Sequence, residues 1–343
     1  MAQDKSGTLT SGMIDPLPKP TPLSELAPAL RAPLAPFDGR PPPAPAWFSQ
    51  ALAQAPERGR VGTPRGGLEV LTWGEVGKPG LLLVHGGFAN ADWWTWIAPF
   101  FAADYRVAAL SQPGMGNSDW REAYNLEVFA HDAADVVRAA GLDASGQAPT
   151  FIGHSFGGAH VCCAAASNPE LMSGAILIDT GFRPPAPGVH EERLSKLQAR
   201  RSAAGGKTPA RVFPDLETAV SSFRLLPPQQ VDNLYILDHI ARTSLRPLAS
   251  GRWTWKLDPE MAAKTDFAGR RAFFATRPDI RLRMAQIYGA KSPVVARAAE
   301  MAQTPFPAHG LRIEIPESDH HVLIDQPLAL VSALRAVLAG WRA

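Results

Sequence analysis

Residues 150–158 read Thr-Phe-Ile-Gly-His-Ser-Phe-Gly-Gly, and this segment carries the strongest structural signal in the chain. An apolar run leads into the pattern Gly153-x-Ser155-x-Gly157, and small residues that suit the start of a helix follow it. A sharp strand-to-helix turn leaves no room for side chains beside the serine, which is why glycines flank it, and the turn pushes the hydroxyl outward. The segment therefore predicts Ser155 as a nucleophile between a buried strand and a helix.

A glycine-rich loop upstream is the second signal. Residues 81–84 are apolar and run into His85-Gly86-Gly87. Acyl transfer needs hydrogen-bond donors aimed at a developing oxyanion, and a glycine-rich loop presents backbone N–H groups without obstruction. We expect the N–H groups of Phe88 and Phe156 to form an oxyanion hole; the alternative is an ordinary turn.

Short apolar runs alternate with amphipathic stretches from about residue 60 onward. This alternation is typical of a mostly parallel sheet whose strands are connected by crossover helices. Helical spacing of apolar residues predicts helices over 126–140 and 328–341. The fold class predicted is α/β, with a mostly parallel central sheet flanked by helices. The predicted strands are 68–73, 80–84, 105–110, 150–153, 174–178, 283–288 and 311–315.

Two regions interrupt this alternation. Eleven of the 33 prolines fall within the first 45 residues, and proline removes a backbone donor and restrains its predecessor. We predict a proline-rich N-terminal arm over 1–58, extended and packed on the body through Trp47 and Phe48. Residues 183–270 lack a convincing buried strand and predict a helical cap inserted into a core of 59–182 and 271–343. Ligands of open α/β sheets bind at the edge that such a cap would cover.

With these motifs the chain resembles the α/β-hydrolase fold superfamily from about residue 60 to the C-terminus. Residues 105–118, Tyr-Arg-Val-Ala-Ala-Leu-Ser-Gln-Pro-Gly-Met-Gly-Asn-Ser, also resemble the family's fourth strand and its P-G-x-G-x-S loop. Family members often carry aspartate where Ser111 stands, and that departure does not touch the catalytic set. The resemblance implies the same fold with an inserted cap.

The family resemblance also indicates the general base. Residues 316–327 read Pro-Glu-Ser-Asp-His-His-Val-Leu-Ile-Asp-Gln-Pro, similar to the family ending G-H-x(4)-D/E-x-P, and His320 falls in register. A neutral imidazole takes the serine proton and returns it to the leaving group near neutral pH. Because Asp319 replaces the usual glycine, the neighbouring His321 remains an alternative base. A further alternative is that His320 and His321 are both surface histidines of a loop without a catalytic role.

The triad acid is the least determined member. Most of the superfamily carries aspartate shortly after the seventh strand, where this chain has Ser292, and serine supplies no carboxylate. Some branches carry the acid after strand six, where this chain has Asp179. The chain order Ser155, Asp179, His320 fits the expected nucleophile, acid, base sequence. We assign Asp179 as the triad acid, with Glu300 and Asp319 as alternative acids. A further alternative is that Asp179 only caps the end of its strand.

Tryptophans follow the oxyanion loop and recur late in the cap. Aromatic walls suit an apolar or aromatic ligand, whereas core packing is the competing explanation. The residues taken as substrate-binding are Trp93, Trp94, Trp253 and Trp255.

Composition narrows the function classes. The chain carries 34 basic and 32 acidic residues, and this net charge of +2 gives little attraction for nucleic acid or anionic lipid. The adjacent cysteines, Cys162 and Cys163, make neither a disulfide framework nor a zinc site. No signal-peptide pattern or run of 18 apolar residues is visible, so we expect a soluble cytoplasmic protein that is free to form homo-oligomers. No metal or cofactor is expected.

Three functions are weighed. The first is a serine hydrolase that cleaves a carboxylic ester of an apolar or aromatic small molecule through an acyl-enzyme. The second is C–C bond hydrolysis of a ring-cleavage product, for which Arg224 or Arg242 would bind a carboxylate. The third is a catalytically inactive binding protein of the same fold. Epoxide hydrolases and haloalkane dehalogenases of this superfamily use aspartate at the position of Ser155, so their chemistry is not expected.

Overall fold

The structure is a computed structural model that describes residues 17, 19–181, 189–203, 205–276, 279–295, 306–307 and 309–342. An eight-stranded sheet forms its centre, in the order β1-β2-β4-β3-β5-β6-β10-β11. The first three strands of that order pair antiparallel, and all later neighbours pair parallel. Its strands are β1 (Glu57–Thr63), β2 (Gly66–Trp73), β3 (Gly80–Val84), β4 (Arg106–Leu110), β5 (Thr150–His154), β6 (Gly174–Ile178), β10 (Met284–Gly289) and β11 (Leu311–Ile315).

The seven strands predicted from the sequence are present within one or two residues of their predicted ends. Strand β1 was missed, because its sequence Glu-Arg-Gly-Arg-Val-Gly-Thr is polar and it lies at the exposed edge of the sheet. β3, β4, β5 and β6 are buried along their whole length, which explains their unbroken apolar runs. The α/β class and the mostly parallel sheet are confirmed.

Helices cover both faces of this sheet. Alternate residues of β3 face opposite cores: Leu82 packs in the core under α3 and α4, whereas Leu83 packs with α11. The helices are α1 (Pro28–Arg31), α2 (Ala46–Ala53), α3 (Leu126–Ala139), α4 (Phe156–Ser167), α5 (Val189–Ala203), α6 (Leu216–Ser221), α7 (Leu234–Thr243), α8 (Met261–Lys264), α9 (Phe267–Ala275), α10 (Val322–Asp325) and α11 (Pro327–Arg342).

The segment between β6 and β10, called the insertion below, differs from the purely helical cap that the sequence predicts. Its described residues hold α5 to α9 and also a small antiparallel sheet in the order β7-β9-β8. These strands are β7 (Val212–Phe213), β8 (Leu245–Pro247) and β9 (Trp253–Trp255). The sequence does not predict these strands, because two or three residues are too few to show the alternation of a strand.

The N-terminal arm is also more structured than the extended arm predicted. It contains the eight-residue helix α2, and β1 begins at Glu57, inside the range assigned to the arm. Phe48 is buried, and its ring lies 4.9 Å from that of Tyr235 in α7. Trp47 also packs on Tyr235, so both aromatic residues hold the arm against the body as expected.

No helix in the described part of the chain is long and apolar enough to cross a membrane.

Candidate functional site

Ser155 sits on a strained turn between β5 and α4. Its φ of 52° lies in the left-handed region that non-glycine residues rarely adopt, and its N–H donates to Ile178 O at 2.9 Å. A Cβ on Gly153 would stand 2.7 Å from the carbonyl carbon of Gly157, so the turn closes only with glycine there. The local sequence therefore places the serine hydroxyl at the carboxyl edge of the sheet, as predicted.

His320 lies in the loop after β11 and reaches Ser155. Its Nε2 is 2.9 Å from Ser155 Oγ, and its Nδ1 is 2.8 Å from Asp179 Oδ1. The imidazole is 3% exposed. An Nδ1–H that donates to the carboxylate leaves the Nε2 lone pair facing the serine hydroxyl, which is the tautomer that can accept its proton.

Asp179 directly follows β6 and is fully buried. Its backbone also lies in the left-handed region, with φ 43°. Besides His320, its carboxylate accepts hydrogen bonds from the Gly289 N–H at 2.8 Å and from Ser292 Oγ at 2.6 Å. Buried carboxylates are costly unless hydrogen bonds satisfy them, and three donors meet that need. Ser292, which stands where the sequence resemblance would place the acid, thus donates a hydrogen bond to the acid instead.

The alternative acids stand elsewhere. Asp319 Oδ1 accepts from the backbone N–H of His320 at 2.8 Å, and no contact joins it to the His320 imidazole. Burial raises the pKa of Asp319 above its ordinary value. Glu300 lies outside the described residues. Of the two weighed acids that the structure describes, Asp179 and Asp319, Asp179 is the one whose carboxylate contacts the His320 imidazole.

The two expected oxyanion donors lie on adjoining loops. Phe88 has φ 62° and is 40% exposed, and Phe156 is the first residue of α4, where helix N–H groups lack intrahelical acceptors. A Cβ on Gly87 would lie 3.6 Å from Phe156 Cβ, and one on Gly86 would lie 3.5 Å from Ser155 Cβ. The glycine-rich loop therefore approaches the serine turn closely, as an oxyanion hole requires.

Three buried histidines adjoin one another at the site. His154, His320 and His321 each place one ring nitrogen within 4.8 Å of the others, the spacing of a possible metal site that was not expected from the sequence. Spacing could not reveal it, because His154 and His320 are 166 residues apart. A cation held by all three would take a His320 nitrogen away from Ser155 or Asp179, so metal binding competes with the serine–histidine–aspartate contacts.

His321 differs from His320 in its contacts. Its ring lies tilted against those of Trp93 and His154, and its nearest hydrogen-bond acceptors are the backbone carbonyls of Leu226 and Pro227, not Ser155 or Asp179. Burial holds the pKa of His321 well below its ordinary value, and burial lowers that of His154 to about 3. His154 instead places Nε2 3.1 Å from the carbonyl of His320 and so supports the loop.

The tryptophans separate into core and surface residues. Trp94 has no exposed surface and packs in the hydrophobic core, which corrects its assignment to substrate binding. Trp93 is also buried but contacts His321, one residue from His320. Trp253 and Trp255 of β9 are partly exposed, and Trp255 packs on Phe213 within the insertion.

The insertion contacts loops at the edge of the sheet that carries Ser155. Asp258 accepts from Tyr124 Oη at 2.6 Å, and Asn90 Nδ2 donates to Ser244 Oγ at 3.0 Å. Arg242, considered from the sequence as a substrate ligand, pairs with Asp238 at 2.8 Å and is engaged in the fold. Arg270 was not singled out by the sequence, yet its guanidinium carbon lies 5.0 Å from the centre of the Phe156 ring.

Comparisons with known proteins agree with this architecture. A family profile described as alpha/beta hydrolase fold matches residues 79–327. Esterase Rv0045c of Mycobacterium tuberculosis is 27% identical over 279 residues, covering 80% of this chain and 87% of that protein. Mouse epoxide hydrolase 4 is 31% identical over 160 residues, covering 45% of this chain and 42% of that protein.

Solved structures match over most of the chain. The thioesterase domain from the curacin biosynthetic pathway superposes with a TM-score of 0.64 at 22% identity, over 82% of this chain and 99% of that one. A structure of the M. tuberculosis esterase Rv0045c superposes with a TM-score of 0.59 at 24% identity, over 92% of this chain and 99% of that one. At these identities the matches show the shared fold.

Proposed function

The chain belongs to the α/β-hydrolase fold family, and from that premise we propose that it is a serine hydrolase that cleaves a carboxylic ester through an acyl-enzyme. The observation that carries the proposal is the hydrogen-bonded series from Ser155 Oγ through His320 to Asp179. Esterases and epoxide hydrolases among its relatives support hydrolase chemistry in general. The serine at position 155 favours acyl transfer over the alkyl-enzyme route, which needs an aspartate there.

The proposed reaction begins at Ser155. As Oγ attacks the ester carbonyl, its proton moves to Nε2 of His320, and Asp179 stabilises the imidazolium through Nδ1–H. The N–H groups of Phe88 and Phe156 bind the oxyanion, and the second of these lies at the N-terminus of α4, where the helix dipole favours negative charge. His320 then gives the proton to the departing alkoxide, which leaves an acyl-enzyme.

Water completes the cycle. His320 takes a proton from a water molecule that attacks the acyl carbonyl, and it returns this proton to Ser155 Oγ as the acid departs. One ester and one water become one acid and one alcohol. Asp179 acts only as an acceptor throughout, which suits a carboxylate that already has hydrogen bonds from Gly289 and Ser292.

The substrate proposed is a small molecule with an apolar or aromatic portion. Trp253, Trp255 and Phe88 each keep part of their surface exposed, and aromatic side chains of this kind suit such a ligand. C–C bond hydrolysis would need Arg224 or Arg242 to bind a substrate carboxylate. Arg242 is already paired with Asp238, so it does not support that function.

A pre-steady-state measurement tests the proposed function. With 4-nitrophenyl acetate in excess, we expect a burst of nitrophenolate equal to the enzyme concentration, followed by slower turnover as the acyl-enzyme hydrolyses. Ser155→Ala is expected to lose both phases while its thermal unfolding stays close to that of the wild type. Ester hydrolysis that persists in Ser155→Ala would contradict the mechanism, and so would a wild type inert toward short and long esters alike.

A further inference from the structure

A cation that has no carboxylate partner among the described residues lies beside the serine turn. Arg270 is on α9, and its guanidinium carbon lies 5.0 Å from the ring centre of Phe156 and 5.9 Å from that of Phe274. In the described part of the chain, no aspartate or glutamate oxygen forms an ion pair with it, although the residue keeps only part of its surface exposed. Burial lowers the pKa of Arg270 to about 10, so it still carries its charge at neutral pH.

Two arginines in this part of the molecule are paired, whereas the half-buried Arg224, like Arg270, has no acidic partner among the described residues. Arg121 makes two hydrogen bonds to Asp132, at 2.7 Å and 3.0 Å, and Arg242 pairs with Asp238 at 2.8 Å. An arginine held partly out of water without a counter-ion is unfavourable, and folds ordinarily avoid that arrangement. Of these two unpaired arginines, Arg270 is the one whose guanidinium lies against the ring of Phe156, the residue after Ser155, which points to an anion supplied from outside the chain.

The surroundings of Arg270 connect it to the reaction site. The Phe156 ring beneath it belongs to the residue after Ser155, and the same ring lies 4.5 Å from that of His160. Burial lowers the pKa of His160 to about 3, so this imidazole is neutral and adds no second positive charge.

We propose that Arg270 binds a carboxylate of the substrate, so that the preferred substrate is an ester carrying a second, ionised carboxyl group. This inference rests on the proposed function and narrows its substrate class. A guanidinium matches a planar carboxylate through two parallel N–H···O bonds, and one cation at Phe156 balances one negative charge. A phosphate monoester, with nearly two charges at neutral pH, would leave charge unbalanced there.

Two esters that differ only at the far end of the acyl chain test the inference. 4-Nitrophenyl pentanoate and the mono-4-nitrophenyl ester of glutaric acid share a five-carbon acyl chain, and the second ends in a carboxylate. We expect the wild type to favour the glutarate ester in kcat/KM. Arg270→Gln should lower the ratio of kcat/KM for glutarate over pentanoate by about 10- to 100-fold, mostly through KM, and Arg270→Lys should restore part of it.

Arg271→Gln is the matched control, because it removes the same charge from the next, exposed position of α9. It should leave the ratio unchanged. Free glutarate and inorganic phosphate are compared as competitive inhibitors of the wild type, and glutarate should bind more tightly by a margin that Arg270→Gln abolishes. Tighter inhibition by phosphate would overturn the choice of a carboxylate.

Other outcomes separate this inference from the proposed function. If the wild type hydrolyses both esters equally well and Arg270→Gln moves neither the ratio nor glutarate inhibition, the inference is wrong while the ester chemistry stands. If Ser155→Ala retains hydrolysis, the proposed function itself is wrong. Should Arg270→Gln fail to fold, the wild-type ester preference and glutarate inhibition decide on their own, because both are required by the inference.

Discussion

β6 and β10 are neighbouring parallel strands that end at the same edge of the sheet, and the two ends carry different groups. β6 ends in Asp179, which contacts His320, whereas the turn after β10 carries Ser292, which donates to Asp179 at 2.6 Å. The strands are tied together where the Asp179 N–H meets Ile287 O at 2.8 Å. Because Ser292 directly contacts the acid, we expect a carboxylate on either strand end to reach the same histidine, so strand number alone does not identify the acid.

Asp179, after β6, contacts His320 and not His321, so His320 is the expected base. His320→Ala should lower kcat/KM for an ester by at least ~10⁴-fold, because it removes the base itself. His321→Ala should keep most of the activity, since its ring contacts neither Ser155 nor Asp179. Steady-state kinetics on both variants check this, and a reversed order of the two losses would move the base by one residue.

Asp179 and Ser292 should then differ by orders of magnitude. Asp179→Asn is expected to lose about 10⁴-fold in kcat, because the amide can no longer hold the tautomer that presents an Nε2 lone pair. Ser292→Ala removes one of three hydrogen bonds to the carboxylate and should cost about 10-fold. Asp319→Asn and Glu300→Gln serve as controls. An Asp179→Asn variant with near-normal turnover would make the acid assignment wrong, particularly if Glu300→Gln were inactive.

An exchange of the two groups sharpens the comparison further. The double variant Asp179→Ser with Ser292→Asp moves the carboxylate to the β10 side and the hydroxyl to the β6 side. Because the two side chains are in direct contact, we expect kcat/KM of the double variant to be about 10-fold or more above that of the single variant Asp179→Ser. Equal activities of the single and double variants, with both folded by circular dichroism, would show that the two strand ends are not interchangeable.

The last effect concerns the free energy of unfolding and its dependence on three buried histidines. Burial lowers the pKa of His85 to about 4 and those of His154 and His160 to about 3. Below pH 6.5 the unfolded chain takes up protons at these histidines while the folded chain does not, so the free energy of unfolding falls as pH falls. At pH 5 each contributes a loss of about 2 kcal/mol.

Asp325 acts in the opposite sense. Burial raises its pKa to about 6, so the folded state binds that proton first as pH falls, and this offsets about 1 kcal/mol at pH 5. Urea unfolding at pH 7.5 and pH 5.0 measures the sum. We expect a lower free energy of unfolding at pH 5.0, and equal stability at the two values would contradict the burial of neutral histidines.

The sequence predicted the parallel sheet and the serine turn because both depend on local chemistry. Buried strands appear as apolar runs, and the glycines around Ser155 are required by a turn that admits no side chains. Asp179 was assigned through chain order and its place after β6, and the structure adds the contact with His320. The hydrogen bond from Ser292 could not be predicted, since it joins residues 113 positions apart.

Other features of the molecule could not be predicted, for different physical reasons. Trp94 and Trp253 have the same chemistry in the sequence, and only three-dimensional packing shows that the first is core and the second is partly exposed. The short strands β7 to β9 have no period long enough to detect. Arg270 could not be singled out from the sequence, because an arginine on a short helix is ordinary, and its lack of an acidic partner among the described residues is visible only once the fold places it over Phe156.

The central claim is that Asp179, at the end of β6, orients His320 and thereby activates Ser155. The most direct test is the rate of adduct formation with a fluorophosphonate probe, followed by intact mass, for wild type, Ser155→Ala, Asp179→Asn and Glu300→Gln. We predict one adduct per chain on wild type and Glu300→Gln at similar rates, no adduct on Ser155→Ala, and labelling of Asp179→Asn slowed by at least ~10²-fold. Fast labelling of Asp179→Asn, or an adduct on Ser155→Ala, would contradict the account.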